Sequence, residues 1–593
     1  MMNQQRKRGS LRVLLPFIAP YKWGLFGAIA MVILMVVTMV LAPTVEGMIT
    51  TQLASDAADM VRGVEGAGVQ FDVIGRIIAL LLGIYLVKLG AQVVGVVVLT
   101  NSIQKAMRDL RGAVQNKIHR LPVRYFDSHP YGDVLSRVTN DVDTISNALM
   151  QTFIQIISGI LTLILAVTMM FMIQPVMACI ALVIIPMSLL ITQFIVRHSQ
   201  KQFSAQQDAV GALNGTITEL YTGYNEILLY NKQLQAQQQF HSINHELRGH
   251  AFKAQFVSSL MSPLISLVTY LTIGAVAVCG ALFAISGVIT IGNLQAFIRY
   301  IWQVNDPLSQ LSQLSAQIQS AFAAMRRVSA ILQEEEETKE ADPARAPAQV
   351  QGNVRFEHVT FGYGETDVIQ DLSFSVSSGQ MVAIVGPTGA GKTTLINLLM
   401  RFYDVRKGSI TIDGIDIREM KREDLRAIFG MVLQDTWLFS GTIFKNIWYG
   451  RRTARRDEVV DAAKKANVHN FIHSLPGGYD MEINEEGNNV SQGEKQLLTI
   501  ARAILKEPRI LILDEATSSV DTRLEKMLQE AMHTVMQNRT SFVIAHRLST
   551  IVGADLILVV KDGTIVEQGT HQSLMAQHGF YEQLYNAQFA NTK

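Results

Sequence analysis

The sequence predicts an all-α domain that crosses a membrane, followed by an α/β domain. Three observations carry that expectation: six apolar stretches of membrane-spanning length before residue 316, a charged stretch with Ala and Pro over 334–351, and short apolar strands alternating with helices and Gly-rich turns beyond it. At 593 residues the chain is too long for a single core. Composition agrees: 49% of residues are hydrophobic, only 17% are charged and the mean hydropathy is +0.22, high for a protein with no membrane part.

The membrane domain is expected over 1–333, as six long helices with cytoplasmic extensions. Its spans fall near 23–42, 77–99, 153–173, 176–196, 257–283 and 294–315. Gln174 and Pro175 alone separate the third and fourth, which reads as a tight turn at a membrane surface. Two polar segments, 100–150 and 197–255, carry Lys, Arg and Gln at helix-compatible spacing and should continue the helices into solvent. Cations set the orientation. Arg6, Lys7, Arg8, Arg12 and Lys22 precede the first span, whereas the loop after it carries Glu46, Asp56, Asp59, Glu65 and Asp72 with only Arg62 among them. The N-terminus, both polar segments and the α/β domain are therefore expected to be cytoplasmic, in a multi-pass protein of the plasma (inner) membrane. The basic start leads into an apolar run too long for the h-region of a signal peptide, so the first helix should remain as an anchor.

Charge and cysteines exclude other classes. Lys and Arg total 51 against 50 Asp and Glu, which disfavours nucleic acid as a partner. Cys179 and Cys279 lie inside apolar runs and suggest neither a disulfide framework nor a metal site.

After a linker over 334–351, the α/β domain should occupy 352–593. Apolar strands are expected at 382–385 and 510–513, with a hairpin turn at Asp413-Gly414. The first strand runs into Gly386-Pro387-Thr388-Gly389-Ala390-Gly391-Lys392-Thr393, a complete phosphate-binding loop ahead of an apolar helix. Its glycines let backbone N–H groups converge on phosphates, Lys392 reaches the outer phosphates and the Thr393 hydroxyl can ligate Mg²⁺. The second strand delivers Asp514 and Glu515 to its C-terminal end, the edge where open α/β sheets bind ligands. There Asp514 would hold Mg²⁺ through its water shell and Glu515 would polarise an attacking water. A third segment, Val490-Ser491-Gln492-Gly493-Glu494, opens a helix with the Ser-x-x-Glu spacing of a capping box, which is also a site for a terminal phosphate.

In this order the motifs resemble the ATP-binding cassette (ABC) transporter family, specifically exporters in which six membrane helices are fused to one cassette of P-loop NTPase fold. The resemblance covers nearly the whole chain. It implies ATP and Mg²⁺ as ligands and ATP hydrolysis as the activity. Tyr363 matches the aromatic that stacks on adenine, Gln434 the glutamine that senses Mg²⁺, and His546 the switch histidine at the γ-phosphate. Thr394 completes the nucleotide contacts, and Ser519 to Asp521 match the loop linking the two ATP sites. Tyr125-Phe126-Asp127, Gly132-Asp133, Ser136-Arg137 and Asn140-Asp141 resemble the first intracellular loop, and residues 219–232 the second coupling helix.

One departure bears on partners. The family's signature begins Leu-Ser-Gly-Gly-Gln, whereas Ser491, Gln492, Gly493 and Glu494 stand here after Val490. In the family a signature faces the partner subunit's ATP. The resemblance therefore implies a second half-transporter, with a heterodimer favoured by an intact Glu515 beside an altered signature, and a homodimer also open. Export of hydrophobic or amphipathic small molecules, multidrug or lipid-like, is the expected function. The alternatives are a dedicated exporter or importer of one metabolite, siderophore or peptide, and an ATP-gated regulatory subunit. Membrane lipid is an expected partner. Candidate substrate contacts are Met31 and Met35, which share a helix face with Met39, and the span charges Arg299 and Asp306, with Lys88 a further intramembrane charge.

Overall fold

The computed structural model describes residues 13–65, 67–347, 349–433, 436–484, 489–514, 522–545 and 548–589, excepting the side chains of 308–316, 522, 549, 588 and 589. It forms two compact units, 1–119 with 131–334, and 120–130 with 335–593.

The first unit is helical throughout. Its helices are α1 (Lys22–Val61) and α2 (Phe71–Ile118), then, beyond α3 (Val123–Ser128) of the other unit, α4 (Tyr131–Val138), α5 (Asn140–Ile173), α6 (Pro175–Leu182), α7 (Ile184–Thr222), α8 (Tyr224–Leu229), α9 (Gln233–Ser259), α10 (Met261–Ile285) and α11 (Ile291–Gln333). At 48 residues α2 is roughly 70 Å long, more than twice the hydrocarbon thickness of a bilayer. Such lengths carry the helices far into solvent. Small residues let α1 and α2 approach closely, with Gly24 against Ser102 and Gly95 against Met31. Val32, Val36 and Val40 of α1 join Met170 of α5, Met177 of α6, and Phe297, Tyr300 and Ile301 of α11 in one buried cluster.

One expectation needs adjusting. Glu46, Asp56 and Asp59 do not lie in a loop, because α1 continues to Val61 and the connection is only 62–70. The reason is local: Asp56 is buried, accepts from Gln52 Nε2 at 2.8 Å and from the Gln70 N–H at 2.9 Å, and so ties the connection back onto the helix. Among the described residues five helical stretches are long and apolar enough to cross a membrane, Val13–Val61, Phe71–Ile118, Tyr131–Ile173, Pro175–Thr222 and Gln233–Ile285. The sixth expected span lies in α11, which forms as one helix but carries Arg299, Gln303, Asn305 and Asp306.

The second unit is built on two sheets. An antiparallel sheet has the order β2-β1-β4-β5, from β1 (Val354–Phe361), β2 (Ile369–Val376), β4 (Lys407–Ile412) and β5 (Ile415–Asp416). Asp413 and Gly414 form its two-residue turn at φ +51° and +81°, as the Asp-Gly pair predicts. The larger sheet has the order β12-β11-β3-β10-β9-β6, from β3 (Met381–Val385), β6 (Phe429–Val432), β9 (Ile510–Asp514), β10 (Thr540–Ile544), β11 (Leu556–Lys561) and β12 (Thr564–Gly569). All its pairs are parallel except β11–β12. Its strands read as continuous apolar runs because both faces are covered. Ala383, Val385, Leu511, Leu513 and Val543 face a helical layer that includes α13 (Gln492–Lys506) and α14 (Thr522–Met536), whereas Val382, Ile384, Ile510, Ile512 and Phe542 face α12 (Lys392–Leu399) and the antiparallel sheet. The remaining pair, β7 (Gly441–Thr442) with β8 (Glu482–Ile483), is a short antiparallel ribbon.

The stretch read as a linker is tied down along its length. Thr338 Oγ1 donates to Asp404 at 2.8 Å, the Arg422 N–H donates to Glu340 at 3.0 Å and the Arg345 N–H to the Glu419 carbonyl at 2.9 Å. At its end the Asp413 carboxylate accepts from the backbone N–H groups of Gln351, Gly352 and Asn353.

Candidate nucleotide site and signature helix

The central sheet places the site. β10 lies between β3 and β9, with Ile544 paired to Ile384 on one side and to Asp514 on the other. The end of β3, which feeds the glycine loop, is therefore about 10 Å from Asp514, two strand spacings away. The loop needs its glycines. Gly389 and Gly391 have φ of +84° and +103°, where a side chain is strained, and a Cβ at Gly386 would overlap the Val560 carbonyl of β11. Gly391 caps α12, so the first N–H groups of that helix open onto the loop.

Lys392 Nζ donates to the carbonyls of Gly386 and Pro387 at 2.8 and 2.9 Å. Burial pushes its ammonium pKa below the usual lysine value, against an opposing pull from the Asp514 carboxylate. Thr393 is exposed at the loop and Thr394 is buried, with its hydroxyl accepting from Tyr363 Oη at 3.2 Å. Tyr363 is 39% exposed and stands edge-to-face with Phe361 at 5.1 Å and Tyr403 at 5.0 Å, which leaves it ring surface for a flat ligand. Tyr403 is a neighbour that sequence reasoning missed. Its hydroxyl hydrogen-bonds the Asp127 carboxylate in the 120–130 segment, so the adenine-stacking candidate and the first intracellular loop share one aromatic. Burial, and then this bond, push the Tyr403 phenol far above its ordinary range. The only sequence signal was the aromatic-acid run Phe402-Tyr403-Asp404.

A half-buried ammonium, an exposed hydroxyl and a carboxylate around a glycine cradle fit a magnesium–nucleotide phosphate group. Gln434, Glu515, Ser519 to Asp521 and His546 lie outside the described residues; the strands that precede them end at Val432, Asp514 and Ile544. Ser491 begins α13 with the capping box its sequence predicts: the Ser491 N–H donates to Glu494 Oε2 at 2.8 Å and the Glu494 N–H to Ser491 Oγ at 3.4 Å. Gln492 is exposed and Gly493 buried.

Comparison with known proteins then decides the family. Residues 21–308 match the model of the ABC transporter transmembrane region, and 369–518 that of the ABC transporter domain. A fatty acid ABC transporter ATP-binding/permease protein of Mycobacterium bovis is 47% identical over 89% of this chain and 84% of its own length. The chain belongs to the ABC transporter family. An ATP-dependent lipid A-core flippase of Syntrophus aciditrophicus is 35% identical over 86% of this transporter and 85% of its own chain. The solved structure of a bacterial Atm1-family ABC exporter with ATP bound superposes with a TM-score of 0.74 at 29% identity, over 97% of this chain and 100% of that one. The protein is thus an ATP-hydrolysing membrane exporter that binds ATP with Mg²⁺.

In the membrane half of this exporter, the proposed substrate residues Met31 and Met35 lie on α1, and Arg299 and Asp306 on α11. Met31 packs against Gly95, and Met35 lies beside the buried cluster of α1, α5 and α11. Arg299 pairs with Glu46 at 3.8 Å, and Glu46 accepts from Tyr85 at 2.6 Å. Asp306 is exposed, and Lys88 lies 5.9 Å from the Tyr85 ring.

Proposed function

We propose that this transporter exports acyl-chain-bearing, lipid-like amphiphiles as one half of a dimer, with the membrane domain over 1–333 and the cassette over 352–593. The observation that supports the substrate class is its 47% identity, spanning both halves, to a protein named a fatty acid transporter. The flippase relative points the same way.

In the proposed site Tyr363 stacks on adenine, and residues 386–394 cradle the phosphates. Lys392 neutralises the outer phosphates, while Thr393, Gln434 and Asp514 would hold Mg²⁺, which when bound would screen the charge of the transferred group. Glu515 orients and polarises the attacking water, and His546 steadies the γ-phosphate. The dimer rests on two features. Tyr221, Leu229 and Tyr230 at the tip around α8 are 79%, 75% and 70% exposed, a surface suited to a second subunit. Glu494 also puts a carboxylate at the N-terminus of the signature helix, where it competes with a phosphate for the same positive potential. Such a signature makes the partner's ATP site the slower one, which favours a non-identical partner.

The test is ATP hydrolysis and pyrene-labelled fatty acid transport in proteoliposomes, for the chain alone and with the product of its genomic neighbour. Glu515→Gln should lower hydrolysis by at least about 100-fold. Full activity of the lone chain would remove the heterodimer, and hydrolysis indifferent to acyl chains would remove the substrate class.

A further inference from the structure

Among the prolines of the membrane helices, Pro43, Pro186, Pro263 and Pro307 each lack the N–H that would bond the carbonyl four residues earlier. At Pro186 and Pro263 the helix is interrupted at that point: α6 stops at Leu182 before α7 starts at Ile184, and α9 stops at Ser259 before α10 starts at Met261. At Pro43, α1 runs on unbroken. The carbonyl that Pro43 vacates belongs to Met39, and Gln303 Nε2 of α11 donates to it at 3.1 Å.

A second donor sits one turn away. Tyr300, fully buried, donates its hydroxyl to the Val40 carbonyl at 2.8 Å. A phenol has one proton, so in the 2.6 Å contact between Thr44 Oγ1 and Tyr300 Oη the threonine is the donor. Gln303 Oε1 is buried and has no partner among the described residues, so the amide serves α1 as a donor only. Gln303 is also the residue four before Pro307, so the weakened points of the two helices coincide there. On the C-terminal side of Pro43 the helices meet by backbone contact of Gly47 with Gly292 and by hydroxyl and amide bonds, Thr50 to Gln295 and Thr51 to Thr290, the latter at 3.0 Å.

We propose that Gln303 and Tyr300 are positioning residues of the transport cycle: Gln303 replaces the one hydrogen bond that Pro43 withdraws, Tyr300 adds a donor at the next carbonyl, and together they make Pro43 a hinge at which α1 bends against α11. Hydrocarbon offers no water to a bare carbonyl, so without Gln303 bending would expose Met39 O unsatisfied. The seam beyond the hinge, made of hydroxyl and amide bonds, a glycine contact and the Arg299–Glu46 ion pair, is the part that opens and closes.

The test is a double-mutant cycle on the full-length protein in nanodiscs. Gln303→Leu keeps the size and removes the donor, and Pro43→Ala restores an N–H to the Met39 carbonyl. The readouts are amide hydrogen exchange over residues 38–48, with and without ATP and vanadate, and the kcat and KM for ATP. Gln303→Leu alone should raise exchange over 38–48 and lower kcat by about tenfold each at unchanged KM, and adding Pro43→Ala should cancel the exchange effect. An equal effect of Gln303→Leu in both backgrounds would mean that it acts by packing and would overturn the proposal, as would no effect in either. If Gln303→Leu does not fold, Gln303→Met, which fills the same space flexibly, goes through the same cycle with the same two outcomes.

Discussion

Replacing Tyr403 by Phe removes one oxygen from the contact between the first intracellular loop and the cassette. That oxygen bonds the Asp127 carboxylate, and the raised phenol pKa keeps it a donor at any physiological pH. Two other polar ties of this segment are modest. The Glu337 N–H donates to the Arg120 carbonyl at 3.0 Å, and Arg120 lies 3.9 Å from Glu336 with both side chains well exposed, a pairing worth little. A hydrogen bond to a charged partner contributes about 1.5–3 kcal/mol. Asp127 is exposed and rehydrates once the bond is gone, which puts the loss near the lower end, about 1.5 kcal/mol or roughly tenfold in the docked population. The ring remains, so its edge-to-face contact with Tyr363 at 5.0 Å persists. In proteoliposomes Tyr403→Phe should therefore lower the substrate moved per ATP by up to about tenfold, with the KM for ATP unchanged. Tyr403→Ala, which also takes away the ring beside Tyr363, should raise that KM. Wild-type coupling in Tyr403→Phe, or a KM raised as far as in Tyr403→Ala, would refute the reasoning.

Two predictions concern charge. Burial holds Lys392 below its unfolded value of 10.5, so its charge weakens the nucleotide-free cassette at neutral pH, and stability should rise with pH toward 10.5. Lys392→Met should leave the thermal midpoint without nucleotide unchanged or higher while abolishing the shift that ATP with Mg²⁺ produces, as thermal scanning fluorimetry would show. Burial alone would push Asp413 up, but the backbone N–H groups of Asn353, Gly352 and Gln351 hold it below the ordinary Asp value of 3.8. Its contribution is fully present above 3.8 and is lost as pH falls through the lower folded value, so Asp413→Asn should be less stable than wild type at pH 7 and show a flatter acid-unfolding curve.

Local chemistry was the legible part of this protein. Ser491 and Glu494 announce a capping box because its two bonds join residues three apart, and Asp413-Gly414 announces a tight turn because its φ angles are costly for most other pairs. The glycine loop could be placed because its strand and helix flank it directly. Long-range pairings were not legible. Tyr403 meets Asp127 across 276 residues and Gln303 meets Met39 across 264, and no periodicity encodes such a meeting. Glu46 and Asp56 misled for a related reason: acidic residues after an apolar run look like a loop, until Asp56 is seen buried with Gln52 and Gln70 as partners. Arg299, Gln303, Asn305 and Asp306 dilute the apolar stretch of α11, which was nonetheless legible as the sixth span, but that Tyr300 and Gln303 serve α1 was not.

The stitched stretch before β1 changes how tension travels along the chain. A free tether of this length would stretch and absorb movement before passing it on. Here the slack is removed by Thr338 on Asp404, Glu340 on Arg422, Arg345 on Glu419 and finally Asp413 on three successive N–H groups. A pull arriving at Glu335 therefore reaches Asp404, the residue next to Tyr403, within a few bonds of chain. The segment behaves as a tie rod, and the cassette as a mechanical part begins near Glu335, almost twenty residues before its first strand.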